Sequence, residues 1–392
     1  MPLLSNLVVL SLEQATTLPF LTQRLAREGA RIIRIEPPGR GDPNRHVGRD
    51  LLGEAAMNSY YLPNNCGKQS ITLNLAHPEG RALLHDLITR LPVDVFATNN
   101  RPSTYARLGI AYDHLSALRP GLIWLGITGF GPDSDEAAYD PVVQARAGWM
   151  ALTGEPDQAP LVFGLPMVDL GASEHAYGAL MKALYRRAVT GEGSRLDIAL
   201  LYSAASWMAS PYMLAGLGEP LVRRGNTHQF FAPVSVYPTA DGFVYIAVGN
   251  DGQWEALTRA PGLAALADPA YQRNAGRIAD VTRLNERLSQ CTARQPTAAL
   301  TEALTGLGVP IAPVHTLAEV WADPLLSRGR AHARDPRSGL ELALPPLAQV
   351  GGDGLSELSF PPRLGEHNDQ IYGELLGRDS QALAQLRQAG VI

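Results

Sequence analysis

Asp169 is the side chain of this sequence best suited to act as a nucleophile. It lies between a short apolar run and a long helical pattern, in Phe163-Gly164-Leu165-Pro166-Met167-Val168-Asp169-Leu170-Gly171-Ala172-Ser173. A helix N-terminus favours the ionised form of a carboxylate, and glycines beside it allow a ligand to approach closely. The alternative is that Asp169 only caps the helix, because Asp is one of the preferred N-cap residues.

Basic side chains and glycines that follow predicted strands could bind an anionic ligand near that carboxylate. The basic residues are Arg40, Arg45, Lys68, Arg101 and Arg107. Ligands of open α/β sheets bind beyond the carboxyl ends of the strands, and guanidinium groups suit phosphate. Gly129, Gly131 and Gly171 could admit backbone N–H donors to a developing oxyanion. The alternatives are solvated surface charges and ordinary glycine turns.

Alternating strand and helix patterns in the first 200 residues predict the sheet that positions these groups. Strands are predicted at Leu7–Leu10, Ala30–Ile35, Ser70–Leu75, Val93–Ala97, Leu122–Ile127 and Arg195–Leu200. Helices are predicted at Pro19–Glu28, Pro78–Leu91 and Ala172–Arg187. Strand–helix–strand units of about 30 residues are typical of a parallel sheet. The predicted fold class is therefore α/β, with a doubly wound, Rossmann-like large domain.

The pattern changes near residue 225 and predicts a smaller α+β domain. Two strand-like runs, Val234–Tyr237 and Phe243–Ala247, flank a turn, and helical patterns follow over 254–307. The segment Pro336–Pro362 is predicted as loop, and the chain closes with a predicted helix at Asn368–Leu376. We predict the first part of the large domain at 1–200, a linker at 201–224, the small domain at 225–325, and a linker with a C-terminal return to the large domain at 326–392.

Composition excludes several classes of protein. The 392 residues are 45% hydrophobic and 18% charged with a net charge of −5, which is ordinary for a soluble globular chain. There is no basic tract interleaved with aromatic residues, no cationic leader in Met1–Leu12, and no apolar run near the ~20 residues of a membrane span. Cys66 and Cys291 match no metal spacing and indicate a reduced protein, with Cys66 interpreted as a small buried residue. We expect a cytoplasmic protein without nucleic-acid or membrane partners.

Common catalytic and cofactor motifs are missing from the sequence. The first strand–helix turn lacks GxGxxG, which removes the main argument for a Rossmann NAD(P) site. There is no P-loop, GxSxG or HExxH, and the nine histidines do not cluster at ligand spacing. We therefore expect no metal and no redox cofactor.

A set of extended motifs carries the functional signal instead. In chain order they are Ile33–Arg45, Asn65–Ile71, Asn99–Gly109, Ile127–Gly131, Tyr139–Gln144, the Asp169 segment, Gly225–Gln229 and Leu364–Asn368. In this order the chain resembles the family III CoA-transferases, also called the CaiB–BaiF family, from about Leu7 to Leu376.

The resemblance implies a covalent mechanism at Asp169. This carboxylate would attack an acyl-CoA thioester to give a mixed anhydride, and CoA thiolate would then form an aspartyl–CoA thioester and release the acid. Dividing one transfer into covalent steps is nucleophilic catalysis. Implied CoA-binding residues are Lys68 and Arg107, with Arg45 a reasonable addition, and also Arg40, Asn99, Arg101 and Leu108. The implied oxyanion or acyl-pocket residues are Thr16, Gly129, Gly131, Tyr139, His228 and Gln229.

The sequence departs from the family pattern near Pro19. Oxalate-using members carry Gln at the position of Thr16, and the common Ala-Gly-Pro reads Thr17-Leu18-Pro19. A glycine-rich loop that covers the aspartyl intermediates in some members corresponds to Gly225–Gln229, where His228 and Gln229 could contact the acyl group. Succinyl-CoA with a small dicarboxylate is the default substrate pair, and the donor and acceptor stay open. The resemblance also implies an interlocked homodimer.

Two alternative functions follow from the same motifs. An α-methylacyl-CoA racemase shares the fold and the Asp, but it has His where this chain has Tyr139, and tyrosine is a poor base at neutral pH. The second alternative is a CoA-binding homologue without catalytic activity. Asp169 within a full set of CoA motifs argues against that alternative.

Overall fold

The chain forms two compact units. The computed structural model describes residues 2–349, 352 and 354–392. Met1 and three residues of the predicted loop Pro336–Pro362 (Val350, Gly351 and Asp353) lie outside the described residues. The first unit comprises Met1–Ala147, Phe163–Met213 and Pro324–Ile392, and the second comprises Gly148–Val162 and Leu214–Asp323.

A parallel sheet forms the centre of the first unit. Its strands are β1 (Val8–Leu12), β2 (Arg31–Glu36), β3 (Lys68–Thr72), β4 (Val95–Thr98), β5 (Ile123–Thr128) and β6 (Ser194–Ala199). They lie in the order β3-β2-β1-β4-β5-β6, with Val9 opposite Ile32 on one side and Val95 on the other. The strand order reverses between β1 and β4, where open α/β sheets form a ligand-binding crevice beyond the carboxyl ends of their strands. The predicted α/β class with a parallel sheet is confirmed.

Apolar strand residues explain why this sheet is buried. Near-continuous hydrophobic strands are typical of parallel sheets covered by helices. Leu10, Phe96 and Trp124 are fully buried in the main core, together with Ile371 and Tyr372 from the C-terminal segment. The sheet and the C-terminal residues therefore share one hydrophobic core.

Helices connect the strands of the central sheet and also occur in the second unit. They are α1 (Thr17–Arg27), α2 (Pro78–Arg90), α3 (Tyr105–Leu108), α4 (Tyr112–Leu118), α5 (Asp140–Arg146), α6 (Trp149–Leu152), α7 (Met167–Thr190), α8 (Leu200–Ser206), α9 (Ala209–Gly216), α10 (Asp251–Thr258), α11 (Asn274–Ala279), α12 (Val281–Thr292), α13 (Thr297–Gly306), α14 (Leu317–Ala322), α15 (Pro324–Ser327) and α16 (Ser380–Gln388). A π-helix at Asp369–Leu375 stands where the sequence predicted a helix at Asn368–Leu376, and α16 was not predicted.

Two smaller sheets complete the fold. In the second unit, β7 (Val234–Pro238), β8 (Phe243–Ala247) and β9 (Ile311–Pro313) are antiparallel, and β7 and β8 form the predicted hairpin. In the first unit, β10 (Ala331–Arg334) lies between β11 (Glu341–Leu344) and β12 (Glu357–Ser359). The last two strands fall within the segment predicted as loop. Side chains of this sheet pack with Cys66, which is free and completely buried, as interpreted from the sequence.

The two units differ from the predicted domain boundaries in two places. Gly148–Val162 belongs to the second unit, although the sequence assigned it to the large domain at 1–200. The segment 201–224, predicted as a linker, contains α9 and most of α8. Ser203 and Ala204 of α8 are buried, whereas α9 has no buried residue, so only the start of this segment is packed in the interior.

Candidate active site

Two adjacent cavities open at the carboxyl ends of the central strands. The larger has a volume of about 550 Å³ and the smaller about 430 Å³, and Gln14, Pro43 and Asn100 line both. Gln14 follows β1 and Asn100 follows β4, so the cavities lie at the switch point of the sheet. This position is where the fold class binds its ligands.

Asp169 lies on the wall of the smaller cavity. It is the third residue of α7, which begins at Met167 rather than at the predicted Ala172. The N-cap of α7 is Pro166, and the Asp169 carboxylate instead accepts a hydrogen bond from the Thr17 hydroxyl, with 2.6 Å between Oγ1 and Oδ1. The capping interpretation of Asp169 is therefore wrong, and the carboxylate is available to the cavity.

Asp140, and not Asp169, accepts hydrogen bonds from the backbone N–H groups at the N-terminus of α7. Its Oδ2 accepts hydrogen bonds from the backbone N–H groups of Val168 (2.7 Å) and Asp169 (3.0 Å). Its Oδ1 accepts from Gln144 Nε2 at 2.6 Å, and the Asp140 side chain is buried. The first residue of α5 thereby fixes the first turn of α7. Asp140 lies in the motif Tyr139–Gln144, but this role was not predicted from the sequence. An Asp before Pro141 at a helix start was the available signal.

Burial raises the pKa of Asp169 to about 6. The negative charge of Asp140 acts in the same direction, and the hydrogen bond from Thr17 opposes both. From the sequence, the helix N-terminus was expected to favour the ionised form of Asp169. The pKa is raised instead, because removing a carboxylate from water disfavours its charge.

A tight loop after β1 fixes the position of Thr17. Ala15 adopts a left-handed backbone conformation with φ of 61°, which is uncommon for a residue with a side chain. Asp42 accepts a hydrogen bond from the N–H of Ala15 (3.2 Å), and Asn44 Nδ2 donates to the Ala15 carbonyl (2.8 Å). The loop is therefore held on both sides of the strained residue.

The predicted CoA-binding residues divide into two groups. Arg40, Arg107 and Leu108 line the larger cavity, and Asn99 and Arg101 line the smaller cavity with Asp169. The three arginines are exposed, so their guanidinium groups are accessible to an anion.

Arg45 and Lys68 form the second group, because both side chains are completely buried. Arg45 pairs with Glu36 at 2.6 Å, and Lys68 pairs with Glu13 at 2.8 Å. Neither lines either cavity within the described part of the chain. Direct contact of either residue with CoA stays a prediction, and in this structure both side chains are held in buried ion pairs.

The predicted acyl-pocket residues are also dispersed. Gly129 and Tyr139 line the smaller cavity, whereas Thr16 does not line it and its neighbour Thr17 does. The N–H of Gly131 donates to Thr128 Oγ1 at 3.1 Å, which occupies the donor that the sequence analysis offered to an oxyanion. A Cβ on Gly171 would lie 3.0 Å from Trp207 Nε1, so this glycine allows close packing rather than ligand approach.

His228 and Gln229 belong to the second unit. His228 Nδ1 accepts a hydrogen bond from the N–H of Phe230 at 3.1 Å, and its ring centroid lies 5.2 Å from that of Phe231. Their predicted contact with an acyl group stays a prediction. Among the described residues, no group of three or more His, Cys, Asp and Glu side chains is arranged to hold a metal ion. Within the same residues, no helix combines the length and apolar character that crossing a bilayer requires.

Comparison with known proteins identifies the family. The model of CoA-transferase family III matches residues 4–368. The succinate–glutarate CoA-transferase of Agrobacterium fabrum is 34% identical over 95% of this chain and 96% of its own length. The succinyl-CoA:glutarate CoA-transferase of Homo sapiens is 31% identical over 99% of this chain and 90% of its own length. The crystal structure of a CAIB/BAIF family protein from Brucella suis matches with a TM-score of 0.84 at 33% identity, covering 95% of this chain and 99% of that one. The chain therefore belongs to CoA-transferase family III and is a CoA-transferase.

Proposed function

We propose that this enzyme moves CoA between two small dicarboxylic acids through covalent intermediates on Asp169. The observation that carries the proposal is the Asp169 carboxylate on the wall of the smaller cavity, held by Thr17 and not used as a helix cap. Its pKa of about 6 leaves it mostly ionised at neutral pH, as a nucleophile must be.

Each step of the proposed reaction exchanges one bond at a carbonyl carbon. One Asp169 oxygen attacks the thioester carbon, the C–S bond breaks, and CoA leaves as a thiolate with a mixed anhydride on Asp169. The thiolate attacks Cγ of Asp169, and the first acid leaves as its carboxylate. The acceptor carboxylate then attacks the aspartyl–CoA thioester, and the same two steps run in reverse.

CoA is proposed to extend across both cavities. Arg40 and Arg107 offer guanidinium groups to its phosphates, and Leu108 offers an apolar contact in the same 550 Å³ cavity. Asn99 and Arg101 line the cavity of Asp169 and are proposed to contact the end of CoA near the thioester. Arg45 and Lys68 are omitted from this set because both are buried in ion pairs.

The choice of dicarboxylic acids rests on two relatives with named substrates. Both the bacterial and the human relative are named for succinate or succinyl-CoA and glutarate. We therefore propose succinyl-CoA as donor and glutarate as the first acceptor to be tried. We infer that the protein is a homodimer in the cytoplasm; the free cysteines support a reducing compartment, and recovery of the protein in a secreted fraction would contradict it.

A racemase is the alternative activity of this fold, and Tyr139 argues against it. Tyr139 is 74% exposed and lines the smaller cavity at the position where a racemase carries its histidine base. The imidazole on which the racemase depends is therefore replaced here by a phenol.

The test compares Asp169→Ala with wild type in a reaction of succinyl-CoA and glutarate. Mass spectrometry of the CoA thioesters should show glutaryl-CoA with wild type and a loss of at least about 10⁴-fold in the variant, because the nucleophile is removed. Hydroxylamine added during turnover should mark Asp169 in the wild-type protein only.

A matched control is Asp113→Ala, which removes an exposed Asp from the first turn of α4 and should leave exchange unchanged. CoA should still bind to the Asp169→Ala variant. Near-normal exchange of CoA between succinyl-CoA and glutarate by Asp169→Ala would contradict the covalent mechanism. Loss of an α-deuteron from a branched acyl-CoA without exchange of CoA would support the racemase.

A further inference from the structure

The Thr17 hydroxyl contacts only one of the two Asp169 oxygens. Thr17 is the first residue of α1, is 6% exposed, and donates from Oγ1 to Asp169 Oδ1 at 2.6 Å. No hydrogen bond reaches Oδ2 from any described residue. The two oxygens therefore differ before any substrate binds.

Thr17 is fixed to α7 by a second contact. Its carbonyl accepts a hydrogen bond at 2.6 Å from the hydroxyl of Ser173, which lies one turn after Asp169. On its other side, the Ala15 loop is held by Asp42 and Asn44. Arg34 in turn donates to Asp42 at 2.9 Å, deep in the buried charge network. The direction of the hydroxyl is thus set by the surrounding structure, as electrostatic catalysis requires.

This asymmetry has a chemical consequence for the proposed reaction. The lone pairs of Oδ2 are free to attack the thioester, so Oδ1 becomes the carbonyl oxygen of the acylated Asp169. When the thiolate attacks Cγ, an S–C bond forms and the π electron pair of the carbonyl moves onto Oδ1. The pair then returns, the bond from Cγ to Oδ2 breaks, and Oδ2 leaves as part of the first acid's carboxylate. The Thr17 hydroxyl already faces Oδ1. The same holds when the acceptor carboxylate attacks the aspartyl–CoA thioester.

We propose that Thr17 is a catalytic residue whose hydroxyl leaves Oδ2 as the nucleophile and stabilises the oxyanion on Oδ1 in each step at the aspartyl carbon. The proposal rests on the covalent function of Asp169. It assigns Thr17 to formation and breakdown of the aspartyl–CoA thioester, and not to the attack on the substrate thioester, whose oxyanion lies on another carbon.

The test compares Thr17→Val, which keeps the shape and lacks the hydroxyl, with Thr17→Ser, which keeps the hydroxyl. Each is mixed with succinyl-CoA alone in a single turnover, and intact-protein mass spectrometry follows the appearance of the Asp169–CoA thioester. Loss of one oxyanion donor predicts a rate lower by about 10²-fold in Thr17→Val. Thr17→Ser should stay close to wild type. The acidic limb of the pH profile should move to higher pH in Thr17→Val only, because the hydrogen bond that favours ionisation is lost.

Thr17→Ala carries the same prediction and serves if Thr17→Val does not fold, which thermal melting shows. Wild-type rates in folded Thr17→Val or Thr17→Ala overturn the assignment of Thr17. Equal losses in Thr17→Ser and Thr17→Val also overturn it, because the methyl group and not the hydroxyl would then matter. Absence of any Asp169 adduct in the wild-type protein overturns the proposed function itself, and this inference with it.

Discussion

The protonation of Asp169 is governed by burial more than by its helix. A helix N-terminus stabilises a negative charge by about 0.3–1 kcal/mol at an exposed site, which was the basis of the expectation from sequence. The side chain is instead half-buried with Asp140 nearby, and its pKa rises to about 6. The Asp169 carboxylate is therefore mostly ionised at neutral pH and becomes protonated in mild acid.

Exchange activity should therefore fall on an acidic limb centred near pH 6. Below this pH the nucleophile is protonated, so kcat/KM should drop about tenfold per pH unit, as expected for one essential base. Initial rates of glutaryl-CoA formation between pH 4.5 and 8 measure the limb in roughly half-unit steps. A limb near the ordinary Asp pKa of about 4 would show that burial does not act on Asp169 in this way.

The raised pKa of Asp169 affects stability and activity in opposite directions. As the pH rises, ionisation of Asp169 should increase activity and lower the stability of the fold. The pKa of Asp169 in the folded protein lies above the unfolded value of about 3.9, so the unfolded chain loses this proton first as the pH rises. The free energy of unfolding therefore falls between about pH 4 and pH 6. Asp169→Asn should accordingly melt at a higher temperature than wild type at pH 7, with the difference narrowing toward pH 4. A constant difference across this range would contradict the linkage.

Three helices from separate parts of the chain position Asp169, the proposed nucleophile. Asp169 comes from α7, its hydrogen-bond donor Thr17 from α1, and the acceptor for its backbone, Asp140, from α5. The sequence predicted the nucleophile and the position of the crevice, since strand ends and a long helix leave local patterns. It could not predict the partners, because contacts between residues 17 and 169 leave no periodic signal in either segment.

Buried and exposed cations at the strand ends should behave differently when removed. Lys68 starts β3 and pairs with Glu13 in the interior, where burial lowers the pKa of Lys68 to about 8 while Glu13 opposes this shift. Lys68→Met leaves that carboxylate without its ammonium partner and should cost about 3–5 kcal/mol of unfolding free energy. Arg107→Ala at the exposed cavity wall should change stability by less than about 0.5 kcal/mol.

The affinity for CoA should change in the opposite order, with a larger loss in Arg107→Ala than in Lys68→Met. Loss of a charge-assisted contact worth about 1.5–3 kcal/mol predicts CoA binding about 10-fold to 100-fold weaker in Arg107→Ala. Urea denaturation and calorimetric titration with CoA measure the two quantities on the same preparations. If a Lys68→Met variant of normal stability binds CoA more weakly than wild type, Lys68 contacts CoA directly.

Much of the architecture was readable from the sequence, and the exceptions have physical causes. Six strands of the parallel sheet were predicted because buried strands such as β5 are continuous apolar runs. The sheet of β10–β12 was missed, since its strands are short and set among Pro and Gly residues. Helix α7 was predicted to start too late, because its first turn is stabilised by the distant Asp140 and not by a local cap. Arg34 and Glu36, which alternate with the apolar Ile33 and Ile35 in β2, were the available signal for the buried charge network.

The intact molecule should be a dimer in solution. Side chains on α7–α9 leave large apolar areas exposed in a single chain, among them Tyr185, Tyr202, Trp207 and Tyr212 at 59–74% exposure. Exposed apolar patches of this kind mark protein interfaces. Light scattering should give twice the chain mass of 42.1 kDa, which is about 84 kDa.

The interlocked homodimer that the family resemblance implies predicts that subunits do not exchange. Two preparations with different tags, mixed without denaturant, should yield no mixed dimers over hours, and should yield them after joint unfolding and refolding. A mass near that of one chain would rule out the dimer, and rapid mixing would rule out the interlocked form.

The shared core of the first unit also sets the order in which the newly synthesised chain can fold. The Tyr372 hydroxyl donates to the Thr72 carbonyl at 2.9 Å, and the N–H of Asn74 donates to the Val391 carbonyl at 2.8 Å. A ribosome adds about 5–20 residues per second, so the strand containing Thr72 waits on the order of 15 seconds or more for these partners to emerge. Throughout that interval, the growing polypeptide carries apolar strands without their final covering, which makes it a natural client for chaperones during translation.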